Sequence, residues 1–176
     1  MLTVYMDCGA EERLLALTLA ELVSGAVEGI VRTVVLIDRG MSEGAHRIAE
    51  HSGCVVIQPS ALETAIGRDR SDWLLWLEIG SRPLQGWTSE VLEHLQGASG
   101  RKGTGPARFR PAARDRMGFL SRLTSRPSAL ETGLLLKKPQ ALGRVKQLGG
   151  EPLAQLASGL ASRPLNAEIR PRRAAE

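Results

Sequence analysis

The stretch that most constrains this chain is residues 71–87, SDWLLWLEIGSRPLQGW. Trp73, Leu74, Leu75, Trp76 and Leu77 are apolar without interruption, Ile79 follows, and turn formers close the run. Without polar alternation neither face can meet water, so the run predicts a strand buried on both sides in the middle of a parallel sheet. It ends on Glu78, followed by Gly80, Ser81 and Pro83. Open α/β sheets bind ligands outside the carboxyl ends of their strands, which puts Glu78 where chemistry is expected.

The residues before this run repeat one theme. LTVYM at 2–6 reads as a strand, and a turn at Gly9 leads to an amphipathic helix with Leu15, Leu19, Leu22 and Ala26 at helical spacing. Glu11 and Glu12 fall in its first turn, where the helix dipole favours acids. TVVLID at 33–38 is a β-branched second strand that empties into the polar loop RGMSEG. A short helix over 44–52 stops at Gly53, a natural left-handed terminator, and CVVI at 54–57 gives a third strand. Ser60 and Glu63 have capping-box spacing, so a further helix is predicted from Ala61 to about Gly67. Strands alternating with helices require βαβ crossovers. The predicted fold class is therefore α/β, a three-layer αβα arrangement with a mainly parallel central sheet.

Beyond Trp87 the pattern is broken once. Residues 88–96 suit a helix with Val91, Leu92 and Leu95 on one side. Residues 97–116, GASGRKGTGPARFRPAARDR, have no periodicity and read as a mobile or binding loop. Order is expected again at 119–123. GLLLKK at 133–138 reads as a strand, a helix follows from Pro139 to Gly149 and Gly150, and 152–160 reads as one more short helix. The tail from Arg163, with Arg170, Arg172 and Arg173, is expected to fray. The expected organisation is one domain over 1–162, made of a half over 1–96, a basic loop over 97–118 and a C-terminal strand-and-helix part over 119–162, with a basic tail over 163–176.

A chain of 176 residues suits one domain. No segment approaches the roughly 18 apolar residues of a membrane-spanning helix. The opening MLTVYMD lacks the basic start and cleavage site of a signal peptide. Cys8 and Cys54 lack metal-site spacing and suit a reducing compartment, so a cytoplasmic protein is expected. The net charge is +4, but residues 101–126 hold eight Lys or Arg against the single acid Asp115. That cluster suits a diphosphate, a lipid surface at the inner membrane, or nucleic acid; the alternative is a solvated loop. Arg108 and Arg110 flank Phe109 in an R-F-R pattern suited to clamping a diphosphate or stacking on a base. Only Phe109 and Phe119 accompany the arginines, which disfavours a single-strand nucleic-acid platform. His46, His51 and His94 lack the spacing of a helical metal pair, and no glycine-rich phosphate motif is present.

The succession LTVYMDCGAEE, helix, VVLIDRGMSEGA, LLWLEIGSRPLQGW resembles the N-terminal half of family 2 glycosyltransferases of the GT-A type. Those proteins show a strand running into P-x-x-N-E, a second ending V-D-x-x-S-x-D-G-T and a third ending L-D-x-D before a P-x-x-W-like turn. GLLLKKPQALGRVKQLGG is similar to their later strand and helix. The likeness covers roughly residues 2–90 and more thinly 130–150. It implies a nucleotide-diphospho-sugar transferase fold and a UDP-, GDP- or dTDP-linked sugar as ligand. By position, Asp38, Glu11 and Gly40 would contact the nucleotide, and Glu78, Arg108 and Arg110 the donor diphosphate. Mg²⁺ or Mn²⁺ is the implied cofactor, with Glu78 as the side chain offered to it. The motifs also depart from the family. Ala10 replaces the Asn, Glu78 replaces the first Asp of the metal motif, and Gly80 stands where the second, metal-coordinating Asp would be.

Two functional readings follow. One is a glycosyltransferase-like protein that binds a nucleotide sugar and transfers the glycosyl group to an acceptor. The other is a catalytically inactive GT-A-like pseudoenzyme that serves as a binding or regulatory subunit for a protein partner. No residue is assigned as catalytic base, because Asp115 lies between Arg114 and Arg116, which would neutralise it.

Overall fold

The computed structural model describes residues 1–97, 105–115 and 128–172. The elements run β1 (Leu2–Cys8), α1 (Glu12–Val27), β2 (Val31–Asp38), α2 (Glu43–His51), β3 (Val55–Ile57), α3 (Leu62–Arg68), β4 (Trp73–Trp76), β5 (Arg82–Pro83), α4 (Trp87–Gln96), β6 (Ala107–Pro111), β7 (Leu134–Lys137), α5 (Lys138–Leu148) and β8 (Arg163–Arg170). Short 3₁₀ turns lie at Pro59–Ala61, Ala113–Asp115 and Leu153–Ala157.

All eight strands form one sheet in the order β3-β2-β1-β4-β7-β6-β8-β5. The pairs β1–β2, β1–β4 and β2–β3 are parallel, as the alternating strands and helices require. β7 then runs antiparallel to β4 and to β6, while β8 is parallel to β6. The apolar run Trp73–Trp76 is buried along its whole length, between β1 on one side and β7 on the other. It therefore sits at the seam where the parallel half meets the mixed half.

Strand alternation divides the core in two. Leu2, Val4, Met6 and Cys8 of β1, with Trp73 and Leu75 of β4, face Leu15, Leu19, Leu22, Ala45, Ala49, Trp87 and Val91 on α1, α2 and α4. Tyr5, Leu74 and Trp76 face the other way, against Leu62, Ile66, Ala141 and Val145 on α3 and α5. The two layers of helices on one sheet complete the αβα arrangement.

Local signals behaved unevenly. Gly53 does terminate the second helix, at φ +67°, with Cys54 N–H closing on the Ala49 carbonyl at 2.9 Å. The S-x-x-E pair does not cap α3: residues 59–61 form a 3₁₀ turn, the helix begins at Leu62, and no side chain caps it. Pro59 holds the chain in that turn first. Ser42 is a true cap instead, its hydroxyl accepting from Ala45 N–H at 3.0 Å.

Two basic segments expected to be irregular are strands. Residues 107–111, within the expected loop 97–116, form β6; residues 98–104 and 116 lie outside the described residues. Residues 163–170, the start of the expected tail, form β8 between β6 and β5. Leu165, Ala167 and Ile169 point into the core while the residues between them stay polar, so burial of one face holds β8 in place. The expected helix over 152–160 is only the 3₁₀ turn Leu153–Ala157. The order expected at 119–123 lies outside the described residues.

Candidate functional site

The carboxyl ends of β1, β2 and β4 lie side by side, and the loops leaving them carry Asp7, Glu11, Asp38, Gly40 and Glu78. Cys8 reports their closeness electrostatically. Its buried thiol is pushed up to about 12, first by burial and then by the charges of Glu11, Asp38 and Asp7.

Asp38 closes its own turn. Its Oδ1 accepts from Gly40 N–H at 2.9 Å and Met41 N–H at 2.8 Å, while Oδ2 accepts from Gln58 at 3.3 Å and lies 3.5 Å from His46 Nε2. The amides of Met41 and Gly40, then Gln58 and His46, hold its carboxyl below the usual value. Asp38 is thus a fixed carboxylate with its second oxygen at the edge.

Asp7 and Arg39 build a clasp that the sequence pattern did not single out. Arg39 Nε donates to Asp7 Oδ1 at 2.9 Å, and Asp7 Oδ2 accepts from Leu153 N–H at 2.7 Å. The other Arg39 nitrogens donate to the carbonyls of Gly150 and Glu151 at 2.7 and 2.9 Å. Together they seat the segment after α5 against the ends of β1 and β2. Glu12 accepts from Ser42 at 2.7 Å and ties α1 to the start of α2.

The Glu78 turn is fixed from below. Thr18, fully buried on α1, accepts from Gly80 N–H at 2.7 Å and donates to the Ser81 carbonyl at 2.9 Å. Gly80 adopts φ +92°, and a Cβ there would lie 3.0 Å from Arg172 Cγ and 3.3 Å from Leu14 Cδ2. Arg172, two residues beyond β8, crosses this point and donates from Nη2 to Glu11 Oε1 at 2.8 Å. Burial raises the Glu78 carboxyl; Ser128 and Arg172 oppose that rise, and Glu131 adds to it.

These shifts give opposite pH dependences. The folded state holds the Glu78 proton more tightly than the unfolded chain, so this group's contribution is full below the ordinary glutamate value and is lost as pH rises through the raised folded value. Asp38 contributes above the ordinary aspartate value, and that contribution is lost as pH falls through its lowered folded value. Urea midpoints between about pH 3 and pH 7 are expected to lose part of their fall with rising pH in Glu78→Gln, and part of their fall with acid in Asp38→Asn. Parallel wild-type and variant curves would contradict both assignments.

Arg108 and Arg110 differ. Arg108, on β6, is held inside the chain: its guanidinium donates to Ser162 Oγ at 3.0 Å, to the Ala157 carbonyl at 2.9 Å and to the Ala129 carbonyl. Phe109 between them is buried and meets Trp87 edge-on at 6.4 Å, while Arg110 is exposed.

The implied divalent metal does not fit these residues. Among the described residues no group of three or more His, Cys, Asp or Glu is placed to hold a metal ion. Gly80 offers no ligand, a Cβ there would crowd Arg172 and Leu14, and the Arg172 guanidinium already donates to Glu11 while its charge acts on Glu78. Arg172, which the structure brings to Glu11 and Gly80, was not among the candidate residues read from the sequence, because its position depends on β8. No helix among the described residues is long and apolar enough to cross a membrane.

No protein-family model and no curated protein matches the sequence. Solved structures do match. TarS 1–349 from S. aureus aligns at TM-score 0.62 and 12% identity, over 93% of this chain and 57% of that one. Mannosyl-3-phosphoglycerate synthase from Rubrobacter xylanophilus aligns at TM-score 0.58 and 12% identity, over 93% and 65%. Glucosyl-3-phosphoglycerate synthase from Mycobacterium tuberculosis, solved in complex with Mn²⁺, UDP and phosphoglyceric acid, aligns at TM-score 0.53 and 13% identity, over 80% and 57%. The chain spans less than two thirds of the length of each of these three. The fold of this mixed α/β chain is that of the GT-A-type glycosyltransferases.

Proposed function

We propose that the chain is a glycosyltransferase-like protein of the family 2 kind that binds a nucleoside-diphosphate sugar at the carboxyl edge of β1, β2 and β4. The observation that carries this reading is the guanidinium of Arg172, held beside Glu11 and Glu78 over the side-chain-free Gly80. In this arrangement Asp38 accepts from the base or ribose, and Gly40 leaves the backbone open to close approach. Arg172 neutralises the diphosphate where relatives of this fold use a metal ion, with Arg110 as a second cation. Glu11 and Glu78 orient the guanidinium. Transfer would break the anomeric carbon–phosphate oxygen bond as an acceptor hydroxyl oxygen bonds to that carbon, the electron pair leaving with the diphosphate and the hydroxyl proton passing to the diphosphate or to water.

The second reading, a pseudoenzyme that binds a nucleotide sugar or a protein partner without turnover, draws on the same Gly80 geometry, since no metal ligand projects there. Calorimetry with UDP-glucose, GDP-mannose and dTDP-glucose, in EDTA and in Mn²⁺, tests both. One of the three is expected to bind equally in both conditions. Asp38→Ala should weaken it about a hundredfold and Arg172→Met about tenfold. Absence of binding to all three overturns the proposal, and binding that requires Mn²⁺ overturns the role of Arg172. Release of nucleoside diphosphate separates transferase from pseudoenzyme.

A further inference from the structure

A second cavity lies on the opposite sheet face, under α3 and toward the amino ends of β1, β2 and β3. It encloses about 400 Å³ and is lined by Thr3, Tyr5, Arg32, Val55, Arg68 and Arg70, among others. That volume falls within the range of small-molecule sites. From Thr3 to Cys8 the strand rises on the order of 15 Å, so this cavity is separate from the edge that carries Asp38 and Glu78.

Its floor and rim have opposite polarity. At the floor Asp69 is anchored with acceptor capacity to spare on its second oxygen: Oδ1 accepts from Thr3 Oγ1 at 3.0 Å and Ser71 N–H at 2.8 Å, and Oδ2 accepts from Tyr5 OH alone at 2.9 Å. Thr3 Oγ1 also shares a hydrogen bond with Ser71 Oγ at 3.0 Å, so the half-buried Asp69 carboxylate is the acceptor that the floor presents. Thr3, Tyr5 and Ser71 are all at most 2% exposed. The acceptor-rich floor repels a bare anion and receives hydroxyl donors. At the rim stand the exposed Arg32, Arg68 and Arg70, none of which is paired with a carboxylate among the described residues. Val35, Val55, Ile57 and Ala65 give the wall apolar surface, and Val55 is 47% exposed.

Hydroxyls inward, C–H faces along the wall and an anionic group at the mouth describe one chemical class. We infer that this cavity is an accessory binding site for a sugar phosphate, its hydroxyls donating to Asp69 at the floor and its phosphate held by Arg32, Arg68 and Arg70. A bare phosphate fits only the rim, and a neutral sugar only the floor. The inference does not rest on the nucleotide-binding reading.

Amide and methyl NMR titrations of the full chain with glucose 1-phosphate, inorganic phosphate and glucose test it. Glucose 1-phosphate is expected to shift Thr33, Val35, Val55, Ile57 and Ala65 saturably, with inorganic phosphate at least about tenfold weaker and glucose weaker still. The exposed double variant Arg68→Gln/Arg70→Gln should lower glucose 1-phosphate affinity by about tenfold or more. No saturable shift at these residues overturns the site. So do affinity unchanged in the double variant, phosphate binding as well as the sugar phosphate, and shifts confined to Gly40 and Met41. Apart from shifts at Gly40 and Met41, whose amides bond Asp38 and which would place the ligand at that edge, these outcomes leave nucleotide-sugar binding at Asp38 untouched.

Discussion

Trp76→Ala is expected to lower unfolding free energy by about 4 kcal/mol, the upper range for deleting a buried aromatic. Trp76 ends β4 with no exposed surface, pairs across the ladder with Tyr5 and Leu134, and stacks on Tyr5 with ring centroids 4.9 Å apart. Its removal opens a cavity at the seam between the parallel and mixed halves, where β1, β4 and β7 cannot close together without breaking register. Trp76→Phe should cost far less, about 1–2 kcal/mol, for a physical reason visible at the indole. Trp76 Nε1 is buried with no hydrogen-bond partner among the described residues, so phenylalanine removes an unsatisfied donor as well as volume. Urea denaturation of the two variants reads the difference directly; equal losses would show that the indole nitrogen carries no penalty.

Gly80→Asp is the second large effect. In sequence Gly80 looks like a lost metal ligand, and restoring the aspartate looks like a repair. In the structure the residue adopts φ +92°, and a Cβ there meets Arg172 and Leu14. The substitution therefore combines backbone strain with overpacking, and about 3 kcal/mol of stability is expected to go. No Mn²⁺-dependent change in thermal stability should appear, because the new carboxylate would press on Arg172 instead of facing an open coordination position. A stable variant with a saturable Mn²⁺ response would restore the metal reading and remove Arg172 from the diphosphate role.

The contrast at Gly80 shows where sequence reasoning succeeds and where it stops. The succession from β1 to β4 was legible because each helix and strand there announces itself locally, through 3.6-residue spacing or an apolar run. Their parallel pairing then follows from chain connectivity alone. β6 and β8 were hidden for a different reason. ARFRP and RPLNAEIR are dense in arginine, yet Ala107 and Phe109, and Leu165, Ala167 and Ile169, alternate inward with strand period. That alternation was the available signal, and the surrounding charge masked it. The pairing of β6 with β8 joins residues more than fifty positions apart, which no local window can see.

The site divides the same way. Asp38, Glu11 and Glu78 were legible as neighbours at the carboxyl edge because Asp38 ends β2 and the other two follow within three residues of the ends of β1 and β4, strands that the pattern placed. Arg108 reads as a ligand-binding cation, but its guanidinium joins β6 to the carbonyls of Ala129 and Ala157. Arg172 and the Asp7–Arg39 clasp were invisible because they act between distant segments. Only the folded sheet brings residue 172 to residue 11, or residue 153 to residue 7.

The placement of Arg172 by β8 has a consequence for the order in which this protein becomes competent. During synthesis β1 to β4 emerge first and can pair with one another before β7 covers the free edge of β4, so the acidic edge can form while the chain is still growing. β8 joins the sheet through non-local pairs with β6 and β5, the slow class of contact in folding. Until it docks, Glu11 lacks the guanidinium that Arg172 brings to it. The last strand to arrive thus brings a guanidinium to an edge that is otherwise acidic, and the charge balance of that edge is timed by the final docking step of folding.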